Sequence, residues 1–141
     1  MIAPSPTITR HGDAESWSTP IGQIRIERLA PGIIRTTASG YLADEFVDPI
    51  VGYVQREIDA GFRVRQFHDW LGAMGYSSQG RLRITAFQFR IRAHVDALHV
   101  LSGSRMVRMG VSVANLALDN AIVLHARRAD FEAAVAGAYR R

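Results

Sequence analysis

His68 and Asp69 stand side by side, and Ser77 and Ser78 follow nine and ten residues later. These are the residue types of a serine hydrolase, in which histidine takes the serine proton and a carboxylate orients the histidine. The chemistry requires the base within hydrogen-bond reach of the serine, and adjacency in sequence does not supply that. No Gly-x-Ser-x-Gly elbow accompanies the pair. A small serine hydrolase is therefore the last of three functional readings, and the chain is expected not to be an enzyme.

Other chemistries are narrower still. There is no cysteine, which excludes thiolate nucleophiles, zinc–thiolate sites, iron–sulfur clusters and disulfides. All 17 basic residues are arginine, so Schiff-base lysines and a P-loop lysine are excluded as well. The histidines at 11, 68, 94, 99 and 125 show no His-x-x-x-His spacing, and no metal site is expected. His99 and His125 are expected as hydrogen-bonded structural residues on adjacent strands. Ser102-Gly103-Ser104-Arg105 reads as a strand-to-helix turn with a cap, and no Gly-x-Gly-x-x-Gly fingerprint supports a dinucleotide site. No cofactor is expected.

The elements that must position these residues follow from length and pattern. A chain of 141 residues fits one domain with its own core. Apolar residues make up 48% and charged residues 21%, a globular balance. The net charge is only +4 with no dense basic run, so nucleic acid is not an expected partner. No run of 18 apolar residues exists and the first residues lack a signal-peptide form, so a soluble, cytoplasmic protein without a membrane association is expected.

Residues 1–20, rich in proline, serine and threonine, read as a flexible arm from which Trp17 could dock, and residues 21–141 as the domain. Alternation in Ile24, Ile26 and Leu29, a turn at Ala30-Pro31-Gly32 and a run from Ile33 to Ala38 predict a hairpin. Phe46, Ile50, Val54 and Ile58 recur at helical spacing and predict a helix over 44–60, with Asp44 placed to cap it and Gly61 as its C′ residue. Phe62 to His68 or Asp69 reads as a short buried strand, and residues 72–80 read as a loop. Residues 81–95 fit a strand or a helix. As a helix they carry two opposed apolar stripes, Leu82-Ala86-Phe89-Ala93 and Ile84-Phe87-Ile91-Val95. Leu98–Leu101, 107–118, 121–124 and 129–139 read as strand, helix, strand and helix. Alternating strands and helices indicate a layered α/β domain.

This order of elements, with Phe67-His68-Asp69-Trp70, Gly75-Tyr76-Ser77-Ser78 and Met109-Gly110-Val111-Ser112-Val113-Ala114-Asn115, resembles the STAS domain of anti-sigma-factor antagonists, in its divergent sporulation-antagonist-like branch. The resemblance spans roughly residues 23–139. It implies a mostly parallel central sheet of about five strands with helices packed against it, and a helix at 79–94. In orthodox members an Asp-Ser-Ser-Gly run opens that helix and its first serine is phosphorylated by a partner kinase. Here Tyr76 stands in place of the aspartate, Ser77 at the phosphoserine, Ser78 at the second serine and Gln79 in place of the glycine, so two of the four positions depart.

The resemblance implies a non-catalytic regulatory module of bacterial type that binds a protein, such as a kinase or anti-sigma-type regulator. Its expected phosphoacceptor or partner surface comprises Ser77, Ser78, Tyr76, Asp69 and Ser102 at the carboxyl end of the sheet. A small-molecule or lipid-binding module is the second reading, and it requires an apolar cavity between helices and sheet. One stripe of the 79–94 helix should face the sheet, and the other needs a neighbouring helix or a second subunit. A homodimer through Ile84, Phe87 and Ile91 is the expectation.

Overall fold

The computed structural model describes residues 5–140. The protein is an α/β domain built on one mixed sheet of seven strands whose spatial order equals their sequence order. The strands are β1 (Thr7–His11), β2 (Ala14–Thr19), β3 (Gly22–Ala30), β4 (Ile33–Leu42), β5 (Val64–Tyr76), β6 (Val95–Ser102) and β7 (Val123–His125). Strands β1 to β4 pair antiparallel, and β4 to β7 pair parallel. The expected sheet of about five mostly parallel strands is thus corrected. The reason is the N-terminal segment. Residues 7–19, expected within the arm, form a hairpin that continues the meander, with Trp17 opposite Ile24 and packed on the core. The first four residues of the expected arm lie outside the described residues.

The helices are α1 (Val47–Asp59), α2 (Ser78–Ile91), α3 (Arg105–Ala117) and α4 (Arg128–Ala138). Each parallel crossover is right-handed by rule, and crossovers stepping one way along a sheet leave their helices on one face. Accordingly α1, α2 and α3 share a core with Ile24, Ile26, Ile34, Val64 and Val100. Helix α4 has no strand to return to and covers the other face, where Phe131 and Val135 pack on Ile33, Phe67 and Leu101. Adjacent strand residues point to opposite faces, so Ile33 and Ile34, or Val100 and Leu101, serve different cores.

Local chemistry explains most boundaries. Gly61 ends α1 with φ +91°, the left-handed C′ position that glycine adopts without strain. Asp44 does not cap α1. It opens a short 3-10 turn (Asp44–Phe46), and its carboxylate takes a 2.7 Å bond from Arg83 of α2. Glu57, buried near the end of α1, accepts from Arg28 Nε at 2.9 Å and from the Gly32 N–H at 2.7 Å, fixing the helix to the β3–β4 turn. Strand β5 runs on through residues 72–76, which were expected as loop. There it pairs with Ser39–Leu42 of β4 through two register shifts.

Residues 79–94 are helical as expected, α2 being followed by a 3-10 turn (Arg92–His94). The interface assigned to Ile84, Phe87 and Ile91 is corrected. Phe87 and Ile91 are buried in the core of this chain and Ile84 packs against it. The opposite stripe, Leu82, Ala86, Phe89 and Ala93, faces outward.

Candidate functional site

Strand β5 carries the candidate residues, and the alternation of its side chains separates them. Gln66, His68 and Trp70 point toward α1–α3, while Phe67 and Asp69 point toward α4.

On the first face a buried polar chain crosses three elements. Gln66 and Gln88 pair through their amides, with N···O distances of 2.9 and 2.6 Å. His68 Nε2 lies 3.1 Å from Gln66 Oε1, and His68 Nδ1 lies 2.7 Å from Thr36 Oγ1. Trp70 Nε1 donates to the same hydroxyl at 3.1 Å. These contacts order the protons. Gln66 Oε1 can only accept, so His68 Nε2 carries hydrogen. Thr36 then accepts from Trp70 and donates to His68 Nδ1. The imidazole is neutral, and its burial pushes its pKa down to about 4. Both ring nitrogens are occupied.

Beside this chain lies a cavity of about 100 Å³. Its wall includes Ile24, Leu42, Phe46, Ile84, Val100, Val107 and Val111, with His68, Trp70 and Gln88 along one side. The end of β5 and the start of α2 close it, through Tyr76, Ser77, Gly80 and Arg81. Tyr76 lies against Gly110 of α3 so closely that a Cβ there would fall 2.6 Å from the phenol oxygen.

On the second face Asp69 is nearly inaccessible and fully engaged. Arg128 donates to both carboxylate oxygens, at 2.8 and 3.2 Å, and Arg35 donates at 3.1 Å. Arg35 also donates to Glu132 at 2.6 Å and lies over the Phe131 ring. Burial alone would raise the Asp69 pKa. The Arg128 guanidinium, the Leu71 N–H and Arg35 outweigh it and hold the carboxyl below its ordinary range. Along the uncovered part of this face runs an open polar groove of about 460 Å³, bordered by Ser16, Gln23, Arg25, Glu27, Thr37 and Asp69. His99 Nδ1 and His125 Nε2 lie 2.8 Å apart on the adjacent strands β6 and β7, a mutual contact that the expectation of two structural histidines did not include. No group of three histidine, cysteine or acidic side chains suited to a metal occurs among the described residues.

The expected surface is therefore split. Ser77 caps α2, its Oγ accepting from the Gly80 N–H at 3.1 Å, and it is half-exposed. Ser78 is exposed, and Tyr76 is half-buried on the cavity wall. Ser102 is fully buried, with Oγ donating to the Ser104 carbonyl at 3.4 Å, which removes it from any partner surface. Asp69 is on the far side of the sheet from Ser77. No hydrogen bond joins His68 to Asp69 or to a serine, so the hydrolase triad is not assembled. The buried Thr36, Gln66 and Gln88, and Arg35, Arg128 and Glu132 around Asp69, carry the polar structure and were not anticipated. The spacing of Gln66, His68 and Trp70 was the available signal, since period two places them on one face.

Comparison with protein-family models, with characterised proteins and with solved structures finds no match for the chain. Among the described residues no helix is long and apolar enough to cross a membrane.

Proposed function

We propose that the chain is a non-catalytic, STAS-like regulatory module that binds a protein partner through the exposed start and outer face of α2. The observation that carries this reading is the outer stripe of α2. Leu82 is 54% and Phe89 49% exposed, directly after the accessible Ser77-Ser78 cap. By contrast, the side chains best suited to chemistry, His68 and Asp69, have their polar atoms taken up inside the fold. The sequential parallel strands β4 to β7, with α1–α3 on one face, support the STAS-like assignment. Strands β1 and β2 are an addition to it.

Phosphorylation of Ser77 is the switch this reading offers. A phosphate there would meet the free N–H groups and favourable dipole of α2, whose first turn holds no acid. The test is site-specific photocrosslinking in the source cells, with a photoreactive residue at Gln79 and a control at exposed Gly12. A defined protein adduct at Gln79, absent from the control and altered by Ser77→Asp, is the expected result. No adduct at Gln79 would overturn the reading.

The apolar cavity favours a second reading, a binding module for a small apolar ligand. A cavity of about 150 Å³ stays dry and accepts benzene, so this one suits a group somewhat smaller, or the end of an acyl chain. Native mass spectrometry of protein purified from cells decides it. A non-covalent apolar adduct supports it, and bare protein refutes it.

A further inference from the structure

We infer that the groove between α2 and α3 receives an acidic amphipathic helix of a protein partner, which rests on the interaction-module reading above. Helix α3 exposes Met106, Met109, Val113 and Leu116, the last at 80% of its surface. At ~100° per residue these four form one stripe on the solvent side of the helix, flanking Gly110 and turned away from Val107, Val111 and Ala114. Helix α2 packs beside α3 and turns Leu82 and Phe89 outward. Leu82 and Phe89 are seven residues apart, as are Met109 and Leu116. Two apolar rows therefore run side by side for roughly 10 Å, two helical turns. That is the track for a helix with apolar residues at i, i+3 or i+4, and i+7. Methionines on such a track adapt to a partner's shape.

Charge selects the occupant. No acid occurs from residue 70 to 118 except Asp96, whereas the same span holds six arginines. Arg83 is paired with Asp44 and Asp48 of the α1 region, and Arg92 lies over the Phe89 ring. By helical position Arg90 is on the α1 side of α2 with Arg83, and Arg108 is on the β7 side of α3 with Asn115, whereas Arg81 and Arg92 at the two ends of α2 and Arg105 of α3 lie along the groove with no acid on either helix. A second copy docking by a two-fold would set these arginines against their equivalents. A flat anionic membrane would also meet exposed Glu45, Asp48 and Asp59 in the same helical layer, and they would repel it. A single acidic helix, about 10 Å wide, fits the groove and leaves α1 in water.

The test is selection of wild-type binders from a displayed library of amphipathic helices whose polar positions are randomised. Enrichment of Asp and Glu beside an i, i+4, i+7 apolar stripe is expected. The enriched peptides should bind the Phe89→Glu/Leu116→Glu double variant at least tenfold more weakly. Both positions are exposed, and a thermal melt confirms that the variant folds. Arg92→Glu/Arg105→Glu should weaken binding comparably. Enrichment without acidic bias, unchanged binding to the first variant, or no enrichment overturns the inference. So does phosphatidylserine-vesicle binding, or a sedimenting dimer, abolished by that variant. A Gln79 crosslink that persists while the selection fails would leave the interaction-module reading standing and remove only this partner class.

Discussion

His68 and Asp69 are consecutive, yet their side chains leave β5 on opposite faces of the sheet. The imidazole bonds Thr36 beneath α1–α3, and the carboxylate bonds Arg35 and Arg128 beside α4. A strand makes this unavoidable, because its side chains alternate. The two groups consequently respond to pH separately.

His68 is neutral in the fold, with its pKa pushed down to about 4 by burial. In the unfolded chain it protonates near the ordinary value of about 6.5. Between those values the unfolded state binds more protons, so stability rises with pH and falls as pH drops. The loss accumulates from about pH 6.5 to about 4 and amounts to about 3 kcal/mol. Urea denaturation across that range should show it. His68→Gln should be less stable at neutral pH and should flatten the dependence. An unchanged slope would remove His68 as its cause.

Asp69 acts in a lower window. Its pKa lies below the ordinary carboxylate value, so its contribution is present above about pH 4 and is lost as pH falls through the depressed value. Asp69→Asn would leave Arg35 and Arg128 facing an amide. A loss of about 3 kcal/mol is expected at pH 7, since removing one member of a buried charge cluster strands the others. Arg128→Ala should cost less, because that side chain is half-exposed and Arg35 remains to pair Asp69. Equal losses would show that the cluster depends on Arg128 rather than on the buried Arg35 pair.

The parts of the fold that were legible in sequence are those with strong periodicity. Phe46, Ile50, Val54 and Ile58 marked α1, and Val107, Val111 and Ala114 marked α3, because one face of each helix is apolar and buried. The N-terminal hairpin was not legible. Every residue of β1 is exposed, so no apolar alternation reveals it, and only pairing with Ala14–Thr19 defines it. The end of β5 was hidden by Gly72 and Gly75, which read as loop residues. A Cβ on Gly72 would lie 3.2 Å from that of Ser39, a tight approach to β4 that glycine relieves. For α2 the two apolar stripes were equivalent by spacing. The inward side includes Gln88, a polar residue that only Gln66 across the core makes acceptable. That pairing joins residues 22 apart in the chain and leaves no local signal.

Ser77 separates capping from signalling. Ser77→Ala removes the acceptor for the Gly80 N–H and should cost about 1 kcal/mol. Ser77→Asp keeps an acceptor and adds a favourable charge at the helix start, so its stability should match or exceed that of the native chain. Denaturant midpoints of the three proteins test this. An Asp variant as unstable as the Ala variant would mean that an anion is not accommodated at this end of α2, and the proposed switch would fail with it.

Phe87 and Phe89 offer the sharpest contrast on one helix. They are two residues apart, about 200° around the axis at 100° per residue. Phe87 is 2% exposed, packed with Ile91, Val100 and Val107 in the larger core, whereas Phe89 is about half in solvent beneath the Arg92 guanidinium. Truncation of a buried phenylalanine leaves a cavity, so Phe87→Ala should cost about 3–5 kcal/mol. Phe89→Ala loses little buried area and a weak cation–π contact, and its effect should stay within about 1 kcal/mol. Arginine sharpens the difference: Phe87→Arg should abolish the cooperative unfolding transition, and Phe89→Arg should leave it in place. A folded Phe87→Arg would place Ile84, Phe87 and Ile91 at the surface and restore them as an interface.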